Sequence, residues 1–493
     1  MSAPDNTTTP APESIGARFA RLRAAPNYRL VALIVACAMF MEHFDATVLA
    51  TALPTIARDF NVPAVNLSSA ITAYLLALAI FIPVSGWLAD RFGLRTVFRG
   101  AMLVFVGGSI LCALTWSAES LSAARFLQGF GGALMVPVGR LAILRVARKD
   151  QIVSAMAWLL VPMLIGPIMG PPLGGFIVTY LDWRWIFYLN VPIGMLGVVL
   201  ISIFIEDLKG EDRKPFDWIG FVLCGATLGG LLFGFESASR PGETLQAAML
   251  LAAGLIGGGL YFAHARRAAH PVLDLRLFRD RSFRLSVSAG SLTRITLGGQ
   301  SFLMPLLFQV GLGMNAAASG ALIFSSAVGA LFAKAAVGRA LRTLGYRNVM
   351  LLNGVMICLL YTACGFIRAD WPHPAIMALL VAAGFFISIQ FTSYNTVAFE
   401  HIEQSQMSTA STFFFTMQQM TISVGVCAGA LALRGSMIAG QHVEPHASDF
   451  TTAIAATSAL AGIATLIHLR FPANAGEDLS GRRDSAKQEA PAE

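Results

Sequence analysis

The chain has 493 residues, of which 56% are hydrophobic and only 13% charged, with a mean hydropathy of +0.66. Soluble domains carry about 25% charged residues, so this composition excludes a water-soluble globular protein and reads as an integral membrane protein. The net charge of +7 calls for no nucleic-acid partner, because basic loops lying against anionic lipid account for it.

Residues 1–28 are rich in Pro, Ser and Thr, contain Arg18, Arg21 and Arg23, and lack an apolar stretch ending in a small-residue cleavage site. They read as a cytoplasmic tail and not as a cleaved signal. Apolar runs of about 18 to 25 residues then follow one another, each long enough to cross roughly 30 Å of hydrocarbon as a helix. Fourteen such spans are expected, starting at Arg29, Leu67, Val97, Leu121, Val153, Phe187, Trp218, Ala247, Leu285, Ala317, Val349, Ala375, Ser408 and Thr451. The runs are continuous rather than alternating, which argues for helices and against a barrel. The expected fold class is an all-α polytopic membrane protein of two six-helix bundles plus two inserted helices. Its divisions are a tail (1–28), an N-terminal bundle (29–208), a two-helix insert (209–266), a C-terminal bundle (267–471) and a second tail (472–493).

Most of the 35 Lys and Arg fall on one side of this arrangement. The other side holds Arg58, Arg184, Arg240, Arg368 and Arg434, while Arg125, Arg140, Arg294 and Lys334 lie inside spans. Such asymmetry places both termini in the cytoplasm. The six cysteines all fall inside expected spans as small apolar residues, so neither disulfides nor a metal centre is expected, and no cofactor.

Span 1 contains "MEHFDATVLATALP", with Glu42, His43 and Asp45 within four residues. Asp45 lies sixteen residues beyond Arg29, or about 24 Å at the helical rise, which puts it in the outer half of the membrane. Arg125 in span 4 comes to a matching depth from the other side. An intramembrane charge needs an interior partner, so Asp45 and Arg125 are expected to pair. A carboxylate held between desolvation and a neighbouring Arg can exchange protons when water reaches it, the requirement for proton coupling. Glu42 shares a helix face with Asp45 and is a second expected titrating group. His43 points aside and reads as a hydrogen-bonded wall residue.

The connection after span 2, "GWLADRFGLRT", recurs after span 10 as "GRALRTLGYRN", with Gly, Gly and Arg at the same spacing. Internal duplication of this kind is how many transporters are built. Asp90 in the first copy is expected to cap a helix of the other bundle and act as a gate. In span 5, "GPIMGPPLGG" is expected to be a kinked, tightly packed face near the outer end. Spans 7 and 8 hold few charges and read as a peripheral insert. The basic loop after them reads as a short interfacial helix. Arg294 lies near mid-bilayer in span 9, and Arg140 and Lys334 near inner ends, where they are expected to snorkel. Gln300, Gln390, Tyr394, Asn395 and Gln419 are expected, with Arg294 and Gln128, to bind substrate. No nucleotide-binding loop or zinc-protease motif is present, so an ion or substrate gradient is the expected energy source.

Taken together, "FDATVLATALPTIA", "GWLADRFGLR", "RFLQGFGGA", "GPIMGPPLGG" and "LDLRLFRDRSF" resemble the major facilitator superfamily, specifically its fourteen-helix drug:proton antiporter branch (EmrB/QacA type). The resemblance spans about Met41 to Phe471. It implies a proton role for Asp45, tuned by Arg125, and gating roles for Gly86, Asp90, Arg91, Gly93, Arg95, Gly166, Gly170, Pro171, Gly174 and Gly175. It implies a proton-coupled antiporter, not an enzyme, that exports small amphipathic or drug-like molecules from the bacterial cytoplasmic (inner) membrane. Lipid bilayer, small-molecule substrate and protons are the implied partners, with periplasmic adaptor proteins as further ones. Gln418 stands where many such proteins carry Arg, and Glu42 and His43 lie outside the motif. A proton symporter or uptake facilitator of the same fold is the alternative, and a membrane-embedded receptor or enzyme a remote one.

Overall fold

A computed structural model describes residues 28–146, 151–209, 215–238, 242–403, 406–472 and 475–476. Most of both expected tails lies outside these residues. In chain order the helices are α1 (Tyr28–Asp59), α2 (Ser68–Phe81), α3 (Ser85–Phe92), α4 (Leu94–Ala113), α5 (Ala118–Val146) and α6 (Ile152–Tyr180). Next come α7 (Trp185–Tyr188), α8 (Asn190–Phe204), α9 (Trp218–Ala238), α10 (Thr244–Ala265) and α11 (Arg281–Leu306). The chain ends with α12 (Ala316–Cys364), α13 (His373–Val397), α14 (Met407–Ala439) and α15 (Ala447–His468). Eleven helices among the described residues are long and apolar enough to cross a membrane. The protein is therefore all-helical and polytopic, because a helix satisfies its own backbone where no water can.

Successive spans run antiparallel, with α2 and α3 forming one span, α7 and α8 another, and α12 two joined at Gly345, so the bundle has a basic end, where the Arg-rich connections gather, and a distal end opposite. Helix α1 packs along α6 and α5, α4 packs between α5 and α8, and α11 packs on α14 and α15, with α12 against α13. The early and late helices meet along two seams, α6 against α12 and α2 against α14. Large apolar side chains such as Leu255, Ile256, Leu359 and Leu466 are exposed on the outside. In a soluble protein such a surface would aggregate; around a bundle of this kind it faces lipid.

The two copies of the recurring glycine pattern take matching backbone conformations. Gly93, between α3 and α4, has φ 98° and ψ 140°, and Gly345 interrupts α12 with φ 75° and ψ 160°. Residues with a side chain rarely adopt either, so glycine at this step is a geometric requirement in both. Each turn also touches the segment that follows the last helix of its half: the Leu94 N–H donates to the Leu208 carbonyl (3.0 Å), and Arg347 to that of Leu469 (3.3 Å).

Asp45 is the eighteenth of the 32 residues of α1 and lies near the midpoint of that helix. The helix pair α9–α10 is more than a lipid-facing insert, since Glu236 of α9 is only 4% exposed and accepts hydrogen bonds from Ser68 Oγ at 3.0 and 3.1 Å. Its carboxylate also lies 4.0 Å from Cys427 of α14, at the seam between early and late helices. The basic loop after α10 forms a short 3-10 turn, Leu275–Arg279, capped by the Asp274 side chain, which accepts from the Arg276 N–H at 2.9 Å.

Candidate functional site

Five helices bring their polar side chains to one point. Asp45 of α1 is fully buried and Arg125 of α5 is 1% exposed, and the two form a direct ion pair. The second carboxylate oxygen of Asp45 accepts from Gln128 Nε2 at 2.8 Å and from Asn190 Nδ2 at 3.0 Å. Gln128 accepts in turn from Arg125 Nη1 (2.6 Å) and donates to Ser109 Oγ of α4 (2.7 Å). The guanidinium stacks over the Tyr74 ring of α2 at 4.1 Å, a cation–π contact strengthened by the dry surroundings. A charge buried in this way persists only when paired and hydrogen-bonded, and both conditions are met.

The local sequence explains the convergence. Gly108 precedes Ser109 and meets α5 so closely that a Cβ there would stand 2.6 Å from Gln128 Cα. This approach lets a short serine side chain reach the Gln128 amide. The sequence reading missed Ser109, Asn190 and Tyr74. Asn190 sits in "WRWIFYLNVPIG", whose lone amide entering an apolar helix was the available signal. Gln128, expected to bind substrate, is instead fully buried, with its amide committed to Asp45, Arg125 and Ser109.

Glu42, one turn below Asp45, is also buried, and its Oε2 has no hydrogen-bond donor. His43 Nδ1 is 3.4 Å from that oxygen but lies 2.9 Å from the Met39 carbonyl. Gly132 packs beside both Glu42 Cγ and the Tyr74 hydroxyl, which likewise has no partner. Tyr74 thus stands between the Asp45–Arg125 pair and a second, unsatisfied carboxyl group.

At the distal end, α6 closes on two neighbours. Gly166, Gly170 and Gly174 face α1, and a Cβ at Gly170 would lie 2.0 Å from Thr47 Oγ1. Gly175 and Pro171 face the other way, onto α12: a Cβ at Gly175 would stand 2.2 Å from the Ala316 carbonyl oxygen, and one at Gly320 2.1 Å from that of Pro171. The Ala317 N–H donates to Thr179 Oγ1 (3.0 Å), and Gln309 Nε2 donates to the Thr51 carbonyl (2.9 Å). Gln309 sits in a π-helical turn, Leu307–Gly311, a local underwinding that redirects its side chain. Early and late helices are in direct backbone contact at this end.

Asp90 does not cap a helix of the late half. Its Oδ1 accepts from Arg145 of α5 at 2.8 Å, within the early helices, because Arg145 at the end of α5 is the cation in reach. The pair is partly exposed, so its loss should change stability by less than about 1 kcal/mol. Beside it, Gly93 packs against Asp207, whose carboxylate accepts from the Thr96 N–H (3.2 Å) and hydroxyl (2.9 Å). Partial burial pushes this carboxyl up, but the Thr96 hydrogen bonds and Arg95 outweigh it and hold it below its ordinary value. The guanidinium of Arg91 lies over the Trp87 ring at 5.6 Å, on the same helix as Gly86.

Among the late helices, Gln300, Gln390 and Tyr394 are packed inside. Gln300 donates to Ser458 at 3.2 Å, and Tyr394 lies 2.6 Å from His468 Nε2, which is also 3.1 Å from Gln390 Nε2. Asn395 is exposed and Gln419 half-buried. Arg294 is 3% exposed and lies over the rings of Phe414 (4.7 Å) and Phe391 (5.3 Å). Its Nε has no acceptor and its Nη2 reaches only Asn395 Oδ1 at 3.5 Å. Arg140, expected to snorkel, instead lies over Phe415 of α14 at 4.9 Å, whereas Lys334 is exposed and reaches Thr392 at 3.4 Å.

The model of the Major Facilitator Superfamily matches residues 35–426. The chain belongs to this superfamily. It is 37% identical over 407 residues to "Probable transport protein HsrA" of Haemophilus influenzae, covering 82% of this chain and 88% of that one. It is 32% identical over 460 residues to "Putative multidrug resistance protein MdtD" of Klebsiella pneumoniae, covering 91% and 96%. Among solved structures, the POT family transporter PepTSo aligns with a TM-score of 0.65 at 13% identity, over 94% of this chain and 99% of that one. A bacterial homologue of the lysosomal transporter Spinster, in an inward-facing conformation, aligns at 0.61 and 15% identity, over 95% and 100%. These likenesses establish the major facilitator fold. As a member of the superfamily, the protein is a membrane transporter and not an enzyme.

In a major facilitator protein the two halves rock about a site between them. The Gly175–Ala316 contact is between backbones, so it cannot yield by a rotamer change. Gly175→Ala is therefore expected to oppose distal closure by about 1–3 kcal/mol, the usual range for overpacking. The readout is the labelling rate of a Thr179→Cys reporter with a water-soluble maleimide, which should rise when Gly175→Ala is added. An unchanged rate would mean that this contact does not hold the closed form.

Proposed function

We propose that this major facilitator protein is a proton-coupled exporter of small amphipathic molecules, working by alternating access in a bacterial cytoplasmic membrane with both termini inside. The reading takes the basic end as cytoplasmic, in line with the charge asymmetry of the loops. Fourteen spans result when α12 is divided at Gly345 and α6 and α11 are added to the helices apolar enough by themselves. In domain terms two six-helix bundles (29–208 and 267–471) flank the insert (209–266). Export is favoured over uptake by the multidrug-resistance name of the MdtD relatives.

The observation that carries the coupling is the buried Asp45–Arg125–Gln128–Asn190 cluster. In the distally closed form Asp45 is charged, dry and held by three side chains. When the halves rock apart and water enters, a proton neutralises the carboxylate and releases Arg125 from its ion pair. Glu42, with one oxygen already lacking a donor, is the group that relays protons between the cavity and Asp45, past Tyr74. The glycine face of α6 forms the outer closure, and Asp90 with Arg145 braces the cytoplasmic end of the early helices. Arg294 contributes a cationic, aromatic-walled subsite for anionic groups, since a mid-bilayer guanidinium with no carboxylate partner among the described residues is poised to accept one.

Reconstituted protein tests the direction of coupling. With an acid pH imposed on the side carrying the distal end, fluorescent amphipathic compounds should move toward that side; movement the other way would establish a symporter. Arg294→Ala should weaken binding of anionic compounds by about 2 kcal/mol or more and leave neutral ones unaffected. Equal loss for both classes would remove Arg294 from direct contact.

A further inference from the structure

At the distal end, between α14 and α15, His442, His446 and Asp449 bring one ligating atom each to within 4.8 Å of one another. Asp449 is 2% exposed; its Oδ2 lies 2.8 Å from His442 Nδ1 and accepts from the His446 N–H at 2.9 Å. Its other oxygen accepts from Ser436 Oγ of α14 at 3.1 Å. The two imidazole rings stand 4.1 Å apart, and His446 is the N-cap of α15, its backbone carbonyl accepting from the Asp449 N–H at 2.9 Å.

The chain is bent to make this arrangement. Gln441 has a φ of 55°, a left-handed conformation uncommon outside glycine, and a Cβ at Gly440 would meet the His442 ring at 2.8 Å. Together these fold His442 back over the start of α15 instead of letting it extend into solvent. Beside the cluster lies an open groove of about 510 Å³, lined by His442, Asp449, Ser436 and Ser448 among small residues.

We propose that His442, His446 and Asp449 form a binding site for a divalent transition-metal ion of the zinc class. Two imidazoles and a carboxylate are the ligand types such ions prefer, and three protein ligands leave positions open. Tetrahedral ligands about 2.1 Å from zinc stand roughly 3.4 Å apart, so the Nδ1–Oδ2 pair, hydrogen-bonded at 2.8 Å, need open by only about half an ångström to hold an ion. Ser436 fixes the carboxylate from behind, as outer partners do in metal sites. Water or an anionic group in the groove completes the coordination. The bound ion ties the connection between α14 and α15 to the helix it precedes.

The test uses full-length protein without a polyhistidine tag, in detergent, titrated with Co²⁺ and followed by visible absorption, then challenged with Zn²⁺. Wild type should bind one Co²⁺ per chain and lose its spectrum to Zn²⁺. His446→Gln and His442→Gln should each weaken binding by at least about tenfold. The other six of the eight histidines are common to all samples, so binding there appears as a shared background. Gel filtration checks folding, and because His446 is exposed its variant decides the matter even where His442→Gln fails to fold. Absence of saturable binding by wild type, or equal binding by wild type and His446→Gln, would overturn the proposal.

Discussion

Asp45→Asn is expected to abolish transport driven by a pH gradient while leaving downhill exchange of substrate intact. Asparagine keeps the shape of the side chain and its Oδ1 can still accept from Gln128 and Asn190, but Arg125 loses its counter-charge, so the variant should be less stable and its folding is checked by gel filtration before flux is read. What is lost is the group that changes charge. In proteoliposomes with an imposed gradient, flux should fall to the level of protein-free vesicles, while exchange at equal pH continues. Gradient-driven flux as fast as wild type would remove Asp45 from the coupling step.

The second large effect belongs to Arg125. Its guanidinium pairs with Asp45, donates to Gln128 and covers the Tyr74 ring, all inside the early helices. Arg125→Ala leaves the Asp45 carboxylate buried without its counter-charge, and breaking a buried pair from one side destabilises by about 3–5 kcal/mol. Thermal unfolding in detergent should show a marked drop in midpoint. Lysine at the same position supplies a point charge without the planar fork, so Arg125→Lys should recover only part of the loss. The decisive comparison is the double variant: adding Asp45→Asn to Arg125→Ala should restore stability, because no charge is then stranded. A double variant less stable than Arg125→Ala alone would show that the pair is not the source of the effect.

The pairing of Asp45 with Arg125 was legible in the sequence because intramembrane charges are few and must find partners. The glycine stripe of α6 was legible for a similar reason, since its density has no use except close packing. Ser109 and Asn190 were not, because small polar residues are common in spans and only the tertiary approach at Gly108 makes these two converge. The partner of Asp90 was misread because position along a helix gives the level of a charge but not the neighbour across from it. Gln128 was misplaced on the substrate side because helix periodicity fixes relative faces and leaves open which face turns toward the cavity.

The same physics connects fold to transport. A bundle whose halves touch by glycine backbones at one end can close tightly there, and one whose fully buried Asp45–Arg125 pair lies within a single half can rock without pulling that pair apart. Protonation then changes the charge of one half and not the geometry of the seam.

The most direct measurement is proton release on substrate binding. A compound identified by flux is added to purified protein in weakly buffered detergent, with a pH dye recording the protons freed. The account predicts stoichiometric release from wild type and none from Asp45→Asn. Undiminished release from Asp45→Asn, with binding retained, would contradict it.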